Sequence, residues 1–254
     1  MFKATHLTFR SYNPMNFLTR SQDPNYTKMS TAKNIDLQNF PLFSVLTKEE
    51  QERAVSMMEL KRKRRHDFIY FPDDASDSLY FLTKGTVKIG THSIEDGKEV
   101  IKSLVHPGRM FGELSLVGED KRVDFARALK DEVEYYVMKL EDFNALKKSN
   151  IALYDKVVQL FGTRLMNAEN KLESLIFKDA RTRIIDFIKQ SIEDHGRRIG
   201  VEWLFRHSLT HQDMANITCT SRQTVTLVLN DLKRHDLIHF NRGKILVRDM
   251  NKLQ

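Results

Sequence analysis

The sequence predicts an α+β protein built from an N-terminal antiparallel β-roll of jelly-roll type, a long central helix and a C-terminal helical module that ends in a hairpin. Three observations predict this class. Short alternating apolar runs recur at intervals of roughly 8–12 residues between positions 64 and 140, as in an antiparallel roll. An apolar repeat of seven residues follows, and two capped helical stretches then precede a hairpin pattern. Because strands and helices do not alternate, a parallel α/β sheet is not expected.

The composition is that of a globular protein large enough for a full hydrophobic core. The chain has 254 residues, of which 41% are hydrophobic and 30% charged. No apolar run approaches the ~18 residues of a membrane-spanning helix. Cys219 is the single cysteine, which excludes an intramolecular disulfide and cysteine-based zinc or iron–sulfur centres. We therefore expect a protein of the reducing cytoplasm with no membrane partner and no metal.

Positive charge is concentrated at the two ends of the chain. The formal net charge is +7, divided into +4 in residues 1–35, −2 in residues 36–179 and +5 in residues 180–254. A compact basic segment at the C-terminus favours a polyanionic partner such as nucleic acid.

The first segment, residues 1–35, is polar and contains Asn-Pro and Asp-Pro turns, so we expect a mobile N-terminal arm. Internal methionines leave open whether residues 1–28 are translated. Residues 36–148 contain the predicted roll, in which Asp96-Gly97 predicts a type I′ hairpin turn with positive φ at both central residues. The runs that we assign to strands are Phe68–Phe71, Leu79–Leu82, Val87–Ile89, Val100–Val105, Phe125–Leu129 and Val133–Leu140.

Residues 149–178 form the predicted central helix, in which apolar residues alternate in steps of four and three. Those residues are Tyr154, Val158, Phe161, Leu165, Ala168, Leu172 and Leu175. At about 1.5 Å per residue the stripe is roughly 30 Å long and stays on one helix face. A stripe this narrow favours pairing with a second copy, so we predict a homodimerisation helix. The alternative is an amphipathic helix packed on its own domain.

Residues 179–254 combine three helices with a hairpin. The first helix ends near Gly196, and a strand-like stretch follows around Ile199–Phe205. Two helices joined by a short turn come next, and a final hairpin turns near Asn241-Arg242-Gly243. This order in a basic segment predicts a winged helix-turn-helix, a module that binds DNA.

The second helix of the pair has the properties of a recognition helix. Thr210 and Ser221 are predicted to cap the two helices. Four apolar residues of the second helix share one buried face: Val225, Val228, Leu229 and Leu232. Arg222, Gln223 and Thr226 point away from that face and are predicted to reach base edges, where Arg suits guanine and Gln suits adenine. Phosphate contacts are predicted for Ser221, Thr224, Lys233, Arg242 and Lys244.

Six segments between about Phe40 and Arg248 carry a resemblance to a known family. They are FPLF (40–43), IYFPDDASDSLYFLTKGTVKI (69–89), PGRMFGELSL (107–116), KRVDFARAL (121–129), FKDARTRI (177–184) and SRQTV (221–225). Together they resemble the CRP/FNR family of bacterial transcription regulators. The resemblance implies a β-roll of the cyclic-nucleotide-binding type, a dimerising helix and a winged helix-turn-helix. It also implies a homodimer that binds a pseudo-palindromic site on double-stranded DNA, with RNA polymerase as a partner.

The resemblance further implies an effector pocket in the roll, with candidate residues Gly112, Glu113, Leu114, Arg122 and Val123. In members that bind cyclic AMP, the Gly-Glu pair binds the ribose hydroxyl, an Arg pairs with the cyclic phosphate, and a Ser or Thr follows. Here Val123 stands at the hydroxyl position, Asp124 adds a negative charge, and Ala168 and Glu169 replace the residues that contact adenine. The alternatives are therefore a cyclic nucleotide, another small effector, or no ligand, with Glu113 and Arg122 forming a buried ion pair. No cofactor is certain.

Three further features of the sequence, a cysteine, a basic tract and a histidine pair, could be structural or functional. Cys219 stands in the turn of the helix pair, where the family usually has Gly, so the turn is expected to be strained, or longer and looser. The Lys61–Arg65 tract is interpreted as a solvated strand edge. His207 and His211 have a metal-compatible spacing only if both are helical, and we assign no metal to them.

No catalytic motif occurs, so an enzyme is not expected. The alternative function is a ligand-sensing regulatory subunit whose basic module binds protein or RNA.

Overall fold

The computed structural model describes residues 35–253. Its strands are β1 (Met58–Lys63), β2 (Phe68–Tyr70), β3 (Ser78–Lys84), β4 (Val87–His92), β5 (Glu99–Val105), β6 (Met110–Phe111), β7 (Phe125–Ala128), β8 (Val133–Lys139), β9 (Arg197–Ile199), β10 (Glu202–Arg206), β11 (Ile238–Asn241) and β12 (Lys244–Val247). Its α-helices are α1 (Lys48–Ser56), α2 (Leu140–Ser149), α3 (Ile151–Phe177), α4 (Ala180–His195), α5 (His211–Thr218) and α6 (Arg222–Arg234). The predicted N-terminal arm, residues 1–35, lies outside the described residues except for Ile35. Within the described range, every helix falls short of the length and apolarity that a bilayer span requires.

Two four-stranded antiparallel sheets form the roll, one in the order β1-β8-β3-β6 and the other in the order β2-β7-β4-β5. Both sheets contribute to a shared core, which includes Leu82 and Tyr135 from one sheet and Val87 and Ala126 from the other. The six predicted strands are all present, which confirms the antiparallel roll. β1 and β6 are not among these six runs, but β1 is an edge strand that contains the first three residues of the Lys61–Arg65 tract, as interpreted from the sequence, and β6 has only two residues. The outer residue Arg62 of β1 pairs with Glu134 of β8 (2.8 Å).

The hairpin between β4 and β5 is confirmed, but the predicted type I′ turn is wrong. The loop runs from Ser93 to Lys98, and within it only Gly97 has a positive φ, of 67°. The Ser93 N–H donates to the Lys98 carbonyl (2.9 Å), and the Gly97 N–H donates to the Ser93 carbonyl (3.0 Å). The Asp96 carboxylate accepts a hydrogen bond from the Lys98 N–H (3.1 Å), a local bond that competes with the two-residue turn.

The long helix α3 starts on the roll and continues beyond its core. The Asn150 side chain caps it by accepting a hydrogen bond from the Leu153 N–H (3.0 Å). Leu153 and Val157 are buried with the roll residues around Phe81. The helix has 27 residues and is therefore about 40 Å long. Most of its length lies outside the hydrophobic core of the roll.

The C-terminal module packs α4, α5 and α6 against a four-stranded sheet. The sheet order is β11-β12-β10-β9, so the wing hairpin β11–β12 is attached through β10. The predicted strand-like stretch is itself a hairpin, because Gly200 adopts a φ of 61° between β9 and β10. Ile188 of α4, Met214 of α5 and Leu229 of α6 meet in one core with strand residues such as Ile245. The winged helix-turn-helix is thereby confirmed.

The module is docked on the roll through a buried polar cluster. Lys88 of β4 is buried, and its ammonium group contacts Glu99 of β5 (2.6 Å) and Asp213 of α5 (3.2 Å). The Asn216 side chain of α5 donates to the same Glu99 carboxylate (3.2 Å). Asp213 also closes the capping box of α5. Lys88 is the shared cation of this cluster, so its removal would leave the Glu99 and Asp213 carboxylates facing each other without compensation.

Two histidine rings face each other across the same domain contact. The rings of His106, after β5, and of His195, at the end of α4, have centroids 3.8 Å apart. Burial lowers the pKa of His106 to about 4, and the positive charges of His195, Lys130 and Arg109 lower it further while Asp194 opposes them. His106 is therefore neutral in the folded protein at pH 7.

We expect the free energy of unfolding to decrease as the pH falls from about 6.5 toward 4. In this window His106 takes up a proton when the chain unfolds, so acid favours the unfolded state. The loss is at most about 2 kcal/mol, since the ring is partly exposed and screened by water. Urea unfolding across this window checks the expectation with His106→Gln as the comparison. The variant should show a weaker pH dependence, and equal slopes would contradict the assignment.

Candidate nucleic-acid interface and effector cavity

The recognition helix α6 is built as its sequence predicts. Ser221 is the N-cap, and its hydroxyl accepts a hydrogen bond from the Thr224 N–H (3.0 Å). The buried face consists of Val225, Val228, Leu229 and Leu232. Arg222 and Gln223 occupy the first turn and are exposed to solvent. Two long polar side chains are thus displayed at the start of a helix whose opposite side is anchored in the core.

Thr226 is more enclosed than predicted. Its hydroxyl lies 2.9 Å from the Arg222 carbonyl and 2.9 Å from Nδ1 of His211, the first residue of α5. A carbonyl oxygen can only accept, so the Thr226 hydroxyl donates its single proton to the Arg222 carbonyl and accepts a hydrogen bond from the protonated Nδ1 of His211. Thr226 therefore joins the two helices in this state, and a base contact would require it to exchange these partners.

The residues predicted to contact phosphates form two groups, one at the start of α6 and one at its end and on the wing. Ser221 and Thr224 form the cap of α6, and their hydroxyls are 2.8 Å apart. Lys233, Arg242 and Lys244 are exposed at the end of α6 and on the wing. The wing turns at Gly243, which has a φ of 76° and passes so close to the His207 carbonyl that a Cβ would lie 2.9 Å from it. Glycine is required at this turn.

The turn between α5 and α6 keeps its short length at the expense of backbone strain. Cys219 is the C-cap of α5 and adopts a left-handed conformation with φ 51° and ψ 52°. The Arg183 guanidinium of α4 donates to the carbonyls of Thr218 (2.9 Å) and Cys219 (3.2 Å), and also to the carbonyl of Lys178 just after α3 (2.7 Å). Of the two expectations for this turn, the strained one is right. Arg183 was not a predicted site residue, because nothing in its spacing shows which carbonyls it meets.

Cys219→Gly is expected to stabilise the protein, because glycine adopts a left-handed conformation without steric strain. The gain is about 1 kcal/mol after the extra entropy of glycine in the unfolded chain is subtracted. Thermal unfolding checks this, with Cys219→Ala as the control that removes the thiol but keeps the strain. A higher melting temperature for both variants, or for neither, would contradict the explanation.

The apolar stripe of α3 is largely uncovered in the single chain. Tyr154, Val158, Leu165, Leu172 and Leu175 are 41–62% exposed. Ala168 is exposed as well, whereas Phe161 is half-buried against the roll. The helix therefore carries a continuous apolar face that its own domains do not cover.

A cavity of about 340 Å³ lies between the roll and α3. Four of the five candidate effector residues line it: Gly112, Glu113, Leu114 and Arg122. Val123 does not, and its assignment is wrong: its side chain is 58% exposed. Its neighbours Arg122 and Asp124 line the cavity, whereas Val123, in the bend that precedes β7, faces solvent. The helix contributes Phe161, Arg164 and Leu165, whereas Ala168 and Glu169 are exposed and do not line the cavity.

The Arg122 guanidinium is engaged by the protein through its two terminal nitrogens, whereas its buried Nε has no hydrogen-bond partner among the described residues. It donates to the Gly112 carbonyl (2.8 Å) and the Ser78 carbonyl, and it pairs with the Glu119 carboxylate (3.2 Å). It also lies over the Tyr70 ring, with its central carbon 4.7 Å from the ring centroid. Its positive charge is therefore already balanced.

The suggested Glu113–Arg122 ion pair is wrong, because Glu113 pairs with Arg164 of α3 instead. Burial raises the pKa of Glu113, and the Arg164 charge opposes the rise. Burial also raises the pKa of Asp124, which faces Lys102 (3.4 Å) and accepts a hydrogen bond from the Tyr70 hydroxyl (3.2 Å). The cavity wall thus contains as many carboxylates as cations, and each is paired.

Among residues 35–253, no group of three His, Cys, Asp or Glu side chains converges as metal ligands. These features define a class of protein, the DNA-binding regulators with an effector domain. The features are the exposed recognition helix, the β11–β12 wing and the cavity beside a long helix. Two family models match the chain. The cyclic nucleotide-binding domain matches residues 60–150, and the Crp-like helix-turn-helix domain matches residues 182–254.

Similar proteins agree with this class. The chain is 30% identical over 215 residues to the cyclic AMP receptor protein of Thermus thermophilus, covering 84% of this chain and 95% of that protein. It is 29% identical over 184 residues to the global nitrogen regulator of Nostoc, covering 72% and 82%. The structure of FixK2 from Bradyrhizobium japonicum has a TM-score of 0.69 at 18% identity, covering 77% and 95%. The chain belongs to the CRP/FNR family and is a DNA-binding transcription regulator.

Proposed function

We propose that the chain acts in the cytoplasm as a homodimer that binds a pseudo-palindromic DNA site and works with RNA polymerase at promoters. The observation that carries the proposal is α6, whose first turn presents Arg222 and Gln223 to solvent while the opposite face is buried. Both side chains can form two hydrogen bonds with one base edge, Arg with guanine and Gln with adenine. Arg242 and Lys244 on the wing supply charge for phosphates, which position the module.

The dimer is supported by the uncovered stripe of α3. Its residues lie on one helix face over about 30 Å, and burying them against the same stripe of a second copy removes them from water. A two-fold axis along this helix would place two recognition helices on one side of the dimer. Half-sites should then be centred about 34 Å apart, one turn of the duplex.

Selection of binding sequences from random duplex DNA tests the proposal. An inverted repeat with this spacing is the expected result, with affinity that decreases steeply with salt because Lys and Arg contacts release counterions. A matched pool of random RNA tests the alternative of an RNA-binding module. The proposed function is ruled out if no inverted repeat is enriched, or if RNA is enriched in place of DNA.

We further infer that the effector cavity of this state is not prepared for a cyclic nucleotide. Arg122 is held by Glu119 and by two carbonyl groups, and Asp124 lies in the same wall. A phosphate in this cavity would have to displace one carboxylate and would be repelled by the other. A small effector of balanced charge fits this wall better than an anion.

Asp124→Asn is expected to increase the affinity for cyclic AMP by about tenfold, because it removes a negative charge near the phosphate position. The wild-type protein should bind cyclic AMP weakly, with a dissociation constant no lower than about 0.1 mM, an affinity near −5.5 kcal/mol. Titration calorimetry measures both values. Micromolar binding by the wild type, or weaker binding by Asp124→Asn, would show that this charge does not control the cavity.

A further inference from the structure

A second cavity, of about 500 Å³, lies where the roll meets the C-terminal module. The roll contributes Arg65, from the turn between β1 and β2. The module contributes His207 from the loop after β10, His211 from the start of α5 and Arg242 from the wing. This cavity is separate from the effector cavity, since the two share no lining residue. A ligand in it would contact both domains at once.

The charge of this cavity is one-sided. Two arginines and two histidines line it, and no Asp or Glu is found among its described lining residues. This contrasts with the effector cavity, where carboxylates balance the cations. Such a wall favours an anionic ligand, because no carboxylate among the described lining residues balances the positive charge of the arginines.

Two buried hydrogen-bond donors of the wall lack a partner. The Arg65 guanidinium donates through Nη2 to the Ser208 carbonyl (3.3 Å), but its Nε has no acceptor within the described part of the chain. Nδ1 of His207 accepts from the Leu209 N–H (3.2 Å), so the neutral ring carries its proton on Nε2. Burial lowers the pKa of His207, which keeps the ring neutral at pH 7. That Nε2 also has no partner among residues 35–253.

We propose that this interdomain cavity binds a phosphate group, with Arg65 and His207 donating to its oxygens and Arg242 adding positive charge. An unpaired buried donor destabilises the protein, and a phosphate group offers several acceptor oxygens to such donors. The volume is sufficient for a phosphorylated small molecule of nucleotide size. Since Arg65 belongs to the roll and His207 to the DNA-binding module, an occupied cavity fixes their relative position. The other source of the same chemistry is a backbone phosphate of DNA.

Binding of inorganic pyrophosphate to the full chain tests the site. Saturable binding by calorimetry, with a matching rise in melting temperature, is the expected result at constant ionic strength. Arg65→Met and His207→Gln should each raise the dissociation constant at least tenfold. Arg53→Met, an exposed arginine of α1, is the matched control and should bind like the wild type. Lys102→Met, in the effector cavity, should also retain binding.

DNA binding distinguishes the two sources of phosphate. If a small molecule is the ligand, Arg65→Met leaves the salt dependence of DNA binding unchanged in the absence of pyrophosphate. If DNA supplies the phosphate, the slope of log K against log salt decreases by about one, and pyrophosphate competes with DNA. The proposal is overturned if pyrophosphate does not bind and this slope is unchanged. It is equally overturned if Lys102→Met loses binding while Arg65→Met and His207→Gln retain it.

Discussion

Leu172→Asp is expected to convert the protein to a monomer and to lower its affinity for a two-half-site operator by at least about a hundredfold. Leu172 is 59% exposed in the single chain and belongs to the apolar stripe of α3. In a dimer, the substitution places two unpaired carboxylates in a dry helix–helix contact, at a cost of several kcal/mol. We choose Leu172 over Leu165 because Leu165 also lines the effector cavity. A monomer presents one recognition helix, so it loses the contacts of the second half-site.

Sedimentation velocity and DNA titration measure the two consequences. Asn170→Asp is the matched control, because it adds a carboxylate to the exposed side of α3 that faces away from the stripe. The control should remain a dimer and bind DNA like the wild type. If Leu172→Asp sediments as the wild type does, the stripe is not the dimer contact. If it becomes a monomer without losing operator affinity, the two-helix mode of DNA binding is wrong.

Arg222→Ala is expected to abolish discrimination at one base pair of each half-site while leaving the fold intact. The side chain lies in the first turn of α6 and is exposed, so its removal creates no cavity. A bidentate contact between Arg and guanine contributes about 1–3 kcal/mol, which corresponds to roughly 5- to 150-fold in affinity for the correct base. Competition titrations against operators with single substitutions measure this value. Circular dichroism confirms the fold.

Lys233→Ala provides the comparison that separates base contacts from phosphate contacts. Lys233 is exposed at the end of α6, with its ammonium group 5.6 Å from the centroid of the Phe240 ring. Its removal should weaken binding to all sequences equally and reduce the salt slope by about one. If Arg222→Ala also weakens binding uniformly, Arg222 contacts phosphate and the assigned base readout is wrong.

Elements with local signals were predictable from the sequence. The capping box of Thr210 and the cap of Ser221 form within three residues of chain, so their composition is sufficient to locate the helix starts. The four buried residues of α6 follow from the helical period alone. The family resemblance then supplied what periodicity cannot, which is that the roll contains an effector pocket.

Contacts between distant segments were not predictable in this way. The sequence indicates that Glu113 and Arg122 are charged and belong to one pocket, but their actual partners are Arg164 and Glu119. Val123 was placed in the pocket, but the bend before β7 leaves its side chain exposed to solvent. Each of these outcomes depends on which side chains the folded sheet and helix bring within about 4 Å of each other. The separation of two residues along the chain does not indicate whether they come this close.

The sequence alone determined the three-part architecture, the exposed start of the recognition helix and the apolar stripe of α3, because each is a periodic or capping pattern within one element. Tertiary structure decided the charge balance of the effector cavity, the docking of α5 on the roll through Lys88, and the cavity between Arg65 and His207. The physical reason is that burial and pairing of charge are properties of packed surfaces. The roll forms one side of the interdomain contact and the C-terminal module forms the other. The sequence of either segment alone therefore does not show which charges will meet across the contact.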